Sequence, residues 1–125
     1  MNITEIAFVG YTVTDLPRAR AFYEGILGLK PESVFEEGGM AFIEYWMGKN
    51  GEHCIVIGKG ADHMKPGAAG ATAALEVEDF GAAEKKLRDG GVKFIMEPLD
   101  LPSCQMTLVE DPDGNRIMIH KRKSK

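Results

Sequence analysis

The side chains in this sequence that could move a proton or hold a metal ion are few and scattered. Three histidines stand at His53, His63 and His120, and an imidazole titrates near neutrality. His53 and His120 sit in apolar stretches of strand type, where alternate residues share a face. His53 therefore shares a face with Ile55, and His120 with Met118. Either ring could touch a ligand or serve as a general base, or could merely end a strand at a rim. His63 lies among glycines and alanines and is expected in solvent. Glu44 is a single carboxylate with no histidine beside it. Arg116 shares parity with Met118 and could pair with a ligand carboxylate or phosphate, or form a surface ion pair. Trp46, crowded by Phe42 and Tyr45, offers a stacking surface for a planar or cationic ligand, or a core or dimer face. Cys54 and Cys104 read as reduced, half-buried thiols. No C-x-x-C or Cys/His spacing suggests zinc. There is no Ser/His/Asp pattern, P-loop or dinucleotide fingerprint.

With 125 residues, the chain fits a single domain. A protomer of this size gains from a partner, so a homodimer is expected. The net charge of −4 hides an asymmetry. Four of the 15 basic residues are Lys121, Arg122, Lys123 and Lys125, and the remaining 11 face 19 acidic residues. An acidic body excludes the basic footprint of a nucleic-acid binder. The basic tail at 121–125 reads as a solvated terminus. No apolar run approaches the roughly 20 residues that span a bilayer, so no membrane is expected as a partner. The first residues lack a secretory signal, and a cytoplasmic location is expected.

These groups must be positioned by short strands and two helices. Residues 3–13 are β-branched and aromatic and read as a strand. Asp15 offers an N-cap and Pro17 suits the first turn. Ala19, Phe22, Tyr23, Ile26 and Leu27 then make one apolar helical face, and Gly28 is placed to end it. Strands follow near 29–36, 40–47 and 52–58, separated by Gly38-Gly39 and by Asn50-Gly51, which is a hairpin signal. Residues 59–70 read as a linker. The order then recurs: a strand at 71–77, an Asp79-capped helix carrying Phe80, Ala83 and Leu87, a stop at Gly90-Gly91, and strands near 92–97, 104–110 and 115–121. Pro98 to Pro102 reads as a connecting loop. Asp111-Pro112-Asp113-Gly114-Asn115 is rich in turn formers.

The halves align. At an offset of 64, Val13, Asp15, Leu16 and Ala19 fall on Val77, Asp79, Phe80 and Ala83. At 63, Gly28, Leu29 and Lys30 fall on Gly91, Val92 and Lys93, and Gly51 falls on Gly114. The second helix is one residue shorter. The chain is a duplicated βαβββ unit (3–58 and 71–121).

A tandem βαβββ pair resembles the vicinal oxygen chelate superfamily, which holds glyoxalases, bleomycin-resistance proteins and extradiol dioxygenases. Val13 to Tyr23 resembles the family's V-x-D-L-x-x-[SA]-x-x-F-Y helix entry. Ile26-Leu27-Gly28-Leu29 resembles its exit, and Glu110 to Asn115 its E-D-P-D-G-N turn. The resemblance spans about residues 4–121. It implies an α+β fold in which two units form a curved, mostly antiparallel sheet cup.

Family enzymes often hold a divalent metal on the first and fourth strand of each unit. Five residues before Val13 is Phe8, and its repeat image is Thr72. Four residues after Gly114 is Met118, and its repeat image through Gly51 is Ile55. In this register Glu44 falls on Thr107. Phe8, Ile55, Thr72 and Met118 make no ligand set for zinc, nickel or ferrous iron. No metal or other cofactor is therefore expected.

The resemblance then implies a small-molecule binder with a metal-free apolar cup. Phe8, Ile55, Thr72 and Met118 would line it. Glu44, Trp46, His53, Arg116 and His120 would border it. The alternative is a glyoxalase-like lyase or dioxygenase-like enzyme with a displaced metal or metal-free acid/base chemistry. A third possibility is a partner protein whose cup is filled by its own side chains. The sequence leaves open whether the chain is catalytic.

Overall fold

Two consecutive glycines set the first hairpin. Gly38 and Gly39 both take positive φ, 61° and 82°, which side chains with a β-carbon resist and which a two-residue turn between twisted strands requires. The turn joins β2 (Pro31–Glu37) to β3 (Met40–Met47), with Glu37 opposite Met40. In this computed structural model residues 2, 4–62, 64–69 and 71–123 are described. His63, Gly70 and Lys125 lie outside them.

The chain forms two compact units, residues 1–66 and 67–125. In the first, β1 (Val9–Thr12), β2, β3 and β4 (His53–Lys59) make one sheet in the order β1-β4-β3-β2. β1 runs parallel to β4, and the other pairs are antiparallel. The second unit repeats this with β5 (Ala73–Glu76), β6 (Phe94–Asp100), β7 (Cys104–Glu110) and β8 (Arg116–Arg122), in the order β5-β8-β7-β6. Each unit has one helix between its first two strands.

The helices start as their sequences dictate. The Asp15 carboxylate accepts the Arg18 N–H at 2.9 Å, and the Asp79 carboxylate accepts the Ala82 N–H at 3.0 Å. Both are side-chain caps on otherwise orphaned donors. The second helix, α2, is a regular Phe80–Asp89. The first, α1 (Leu16–Arg20), runs on as a π-helical stretch, Ala21–Ile26. There Leu27 N–H bonds back five residues to the Phe22 carbonyl. The extra residue of the first helix is absorbed as a wide turn.

Alternation assigns the sheet faces. In the first unit Ala41, Ile43, Tyr45, Ile55 and Ile57 are buried with Phe22 and Tyr23 of the helix. Tyr23 stacks on Tyr45, with ring centroids 6.1 Å apart. In the second unit Thr107, Val109, Ile117 and Ile119 are buried, as are Phe80 and Leu87 of α2. Burial of each such aliphatic side chain contributes about 1.5–3 kcal/mol. The even-numbered residues of these strands occupy the face away from the helix.

One polar group enters the first core. Tyr45 O–H donates to Glu24 at 2.9 Å, and Arg20 Nε donates to the same carboxylate oxygen at 2.7 Å. Burial pushes the Tyr45 hydroxyl well above its ordinary range, and Glu24 adds to that. For Glu24, burial opposes the charge, but the Arg20 and Tyr45 hydrogen bonds outweigh it and hold its carboxyl low.

Several strand limits move. The first strand begins at Val9 rather than residue 3, and β4 reaches Lys59, one residue into the expected linker. β6 extends to Asp100, through Pro98, so most of the expected loop is strand. It tolerates Pro98 because it is an edge strand with register shifts between Phe94 and Met96 and between Met96 and Leu99.

A candidate binding pocket on the open sheet face

A concave recess of about 360 Å³ lies on the first sheet's open face. Gly10 and Gly58, on the adjacent strands β1 and β4, form its floor. Phe8, Phe42 and Met64 rise around it, and Thr12 and Val56 complete the wall. The glycines are what make the space. A β-carbon on Gly58 would stand 2.7 Å from the Phe42 ring and 2.8 Å from the Met64 methyl. A β-carbon on Gly10 would meet the Phe8 ring at 3.7 Å. The recess is walled mainly by apolar groups, with Tyr11, Thr12 and the cationic Lys65 also on its lining, and a few polar groups in a mostly apolar pocket is the usual composition of a small-molecule site.

Further along the same face stand Glu44 and Trp46. The indole Nε1 donates to Glu44 at 3.2 Å. Phe35 of β2 faces Phe42 across the ladder, with ring centroids 6.2 Å apart. Phe8, Phe35 and Trp46 are all substantially exposed despite their size. A face of aromatic rings beside one carboxylate can attract a planar cation.

The register corrects two sequence expectations. Val9 pairs with Ile55 and Gly10 with Val56, while in the second unit Ala73 pairs with Ile117 and Ala74 with Met118. The repeat image of Met118 is therefore Val56, not Ile55. Ile55 is buried on the helix side, opposite the face that carries Phe8. Glu44 corresponds to Leu108, not Thr107: Glu44 is opposite Val56 and Leu108 is opposite Met118. Thr107 is instead buried, its hydroxyl donating to the Met96 carbonyl at 2.8 Å. The physical reason is turn length. Between equivalent pairs, seven residues, 47–53, separate Trp46 from Cys54, whereas five, 111–115, separate their counterparts Glu110 and Arg116. Aligning Gly51 with Gly114 hides this difference.

His53 shares parity with Ile55 but sits at the end of β4, with its side chain 71% exposed and 3.7 Å from Glu52. It is a rim residue on the other side of the sheet from the recess. Thr72 lies just ahead of β5 and is exposed. In the second unit Arg116, Met118 and His120 share the face away from α2. So the structure brings Phe8, Glu44 and Trp46 together on the first sheet, and Arg116, Met118 and His120 together on the second. The lining residues missed from sequence are Gly10, Tyr11, Thr12, Val56, Gly58, Met64 and Lys65, whereas Phe42 is read from sequence as part of the aromatic cluster on the third strand. The buried odd-numbered run Ile43, Tyr45, Ile55, Ile57 was the signal that could have found them.

The corrected family metal positions are Phe8, Val56, Thr72 and Met118. Two hydrocarbon side chains, a lone hydroxyl and a thioether do not form a site for zinc, nickel or iron. Among the described residues no group of three or more His, Cys, Asp or Glu side chains could hold a metal. The residues present do not fit the family's metal.

The E-D-P-D-G-N stretch is structural. Asp111 is buried and its carboxylate accepts from the N–H groups of Asp113 and Asn115 and from the Asn115 amide, at 2.8, 2.9 and 2.8 Å. Asn115 in turn accepts the Gly67 N–H at 3.0 Å. The turn thus ties down the start of the second unit.

A second recess of the first unit, about 720 Å³, lies beside Arg20, Glu36, Glu37, Lys59 and the Gly38-Gly39 turn. It is larger, but its charges are of mixed sign and Arg20 is already committed to Glu24. The smaller apolar recess is the better candidate.

Residues 5–119 match the Glyoxalase/Bleomycin resistance protein/Dioxygenase superfamily. The chain belongs to this superfamily. A probable lactoylglutathione lyase of Synechocystis is 33% identical over 90% of this chain and 92% of its own length. A lactoylglutathione lyase of Haemophilus influenzae is 29% identical over 90% of this chain and 88% of its own. Among solved structures, the antibiotic-binding protein TnmS3 of Streptomyces superposes with a TM-score of 0.80 at 22% identity, covering 98% of this chain and 99% of that one. A superfamily member from Sphaerobacter thermophilus superposes at 0.77 with 24% identity, covering 96% and 98%. The chain has the α+β fold of these structures, with two four-stranded mixed sheets. Among the described residues no helix is long and apolar enough to cross a membrane.

Proposed function

We propose that this chain binds a planar, apolar or cationic small molecule on the open face of its first sheet, without a metal. The observation that carries this is the recess floored by Gly10 and Gly58, walled by Phe8, Phe42 and Val56 where a metal centre would need donors. Glu44 beside Trp46 and an acidic body favour a cation at the Trp46 end of this face, with Lys65 at the Met64 end. The likeness to an antibiotic-binding protein supports the same class of role. Trp46 is the only tryptophan, so its fluorescence reports on this face. The test is titration with thioflavin T, a planar cation, together with elemental analysis after exposure to nickel, zinc and manganese. Saturable quenching of Trp46 with no retained metal is expected. A tightly held ion, or no quenching by this or a neutral planar dye, overturns the reading.

The relatives named as lactoylglutathione lyases lend weak support to a second reading, a lyase or dioxygenase-like enzyme with a displaced metal site or metal-free acid/base chemistry. Turnover of hemithioacetals or catechols separates it from simple binding. A homodimer is proposed as the working form: β2 is exposed along its whole length, and Val34 and Phe35 stay about half exposed. A cytoplasmic location is proposed from two buried, unbridged cysteines, the state that a reducing compartment maintains.

A further inference from the structure

The second sheet carries a paired imidazole and carboxylate at the positions where the first sheet is hollow. Glu76 on β5 and His120 on β8 are register partners. Their counterparts in the first unit, by the corrected register, are Thr12 and Gly58, also register partners, which line the recess. The duplication has kept one half open and given the other a pair of polar groups at the same place.

The bonding of this pair fixes its proton. One Glu76 oxygen lies 2.6 Å from His120 Nδ1, and the other accepts the Arg122 backbone N–H at 2.6 Å. A backbone N–H can only donate, so Glu76 is held as an acceptor. The Arg122 N–H and then the His120 ring hold its carboxyl below the usual range. Facing an ionised carboxylate, Nδ1 must carry the hydrogen, and neutral His120 then has its lone pair on Nε2. No hydrogen bond reaches Nε2 from the described residues.

The surroundings select the ligand. Met106 is the register partner of His120, and Met118 lies two residues before it on the same face. Both are half-buried. Thioethers favour the edges of aromatic rings. On the flanking strands, Ala74 is the neighbour on β5, and Cys104 and Leu108 flank Met106 on β7. Cys104 is buried. Among the described residues, the other charged groups on this face are Arg122 beyond His120 and, at the far end, Arg116 and its register partner Glu110, whose carboxylate lies 3.6 Å from Lys93 Nζ.

We propose that His120 and Glu76 form a proton-accepting site for a phenolic ligand, whose ring lies on Met106 and Met118. The phenol O–H bond breaks, the electron pair stays on oxygen as phenolate, and an N–H bond forms at Nε2. The resulting imidazolium is neutralised between the phenolate and Glu76. Glu76 is here a positioning residue that fixes the tautomer. The site stands on the second unit alone and does not rest on the recess of the first.

Two measurements test it. Nitrogen-15 histidine spectra of the free protein should show neutral His120 as the Nδ1–H tautomer, and Glu76→Gln should abolish that preference. Titration with 4-nitrophenol, read by its phenolate absorbance, should show bound phenolate in the native protein. His120→Gln should lose that band, and Glu76→Gln should weaken binding roughly tenfold. An Nε2–H tautomer in the native protein overturns the proposal, whether or not His120→Gln folds. So does 4-nitrophenol that binds and ionises equally in folded His120→Gln. Binding with Trp46 quenching but no His120-dependent band also overturns it, and leaves the first-sheet reading intact.

Discussion

Phe42 lies over Gly58, so closely that a β-carbon there would come within 2.7 Å of its ring. The recess exists because that β-carbon is missing. Gly58→Ala should therefore fill it from below, pushing Phe42 and Met64 outward. Thioflavin T binding, followed through Trp46, should weaken by about tenfold or more, with a stability loss of about 1–3 kcal/mol from overpacking. Met64→Ala, added to Gly58→Ala, should recover part of both.

Ile55 and Val56 are neighbours with opposite duties. Ile55→Ala should cost about 2–5 kcal/mol in denaturant unfolding, because it opens a cavity beneath the helix. Val56→Ala, on the half-buried open face, should cost about 1 kcal/mol and change dye affinity instead. The reverse pattern would mean that the sheet faces are exchanged.

Glu24 links stability to pH. Its carboxyl is held below its ordinary value, so the unfolded chain takes up the proton first as pH falls. The stabilisation is complete above the ordinary carboxylate value and drains away as pH drops through the lower, folded one. In melting curves from pH 7 to pH 3, Glu24→Gln should lose less stability on acidification than the native protein. Tyr45→Phe should remove about 1 kcal/mol at neutral pH.

Asp111 satisfies three donors inside one turn. Asp111→Ala should leave them unmet in a buried site and cost about 3 kcal/mol. Asp111→Asn should recover part of that, since it keeps an acceptor. Chemical denaturation measures both.

Cys54 should be a slow thiol. Burial first, and Glu44 next, push its ionisation up, and a thiol reacts as its thiolate. Ellman's reagent at pH 8 should therefore label it much faster in denaturant than in the native state.

Most of the architecture was legible in the sequence because each element carries a local signature. Asp15 and Asp79 mark the helix starts, Gly38-Gly39 the tight hairpin, and the apolar spacing the helical faces. The duplicated order followed from these. The site was less legible. Strand faces depend on register, and one residue of register moves a side chain through the sheet. Gly51 and Gly114 are both turn glycines, φ 66° and 84°, but they sit in turns of different length. Matching them placed Ile55 where Val56 stands. Val56 and Gly58 looked like ordinary strand residues, because an absent side chain leaves no mark in sequence until its neighbours are known.

The wide turn at Ala21–Ile26 shows how the halves could grow unequal. An extra residue in a strand would flip every side chain beyond it, whereas in this helix it is swallowed within one turn, and Gly28 still meets its counterpart Gly91. The strands on either side never register the change. Helices and hairpins act here as expansion joints, so a duplicated chain can lengthen or shorten while the face that meets a ligand keeps its place.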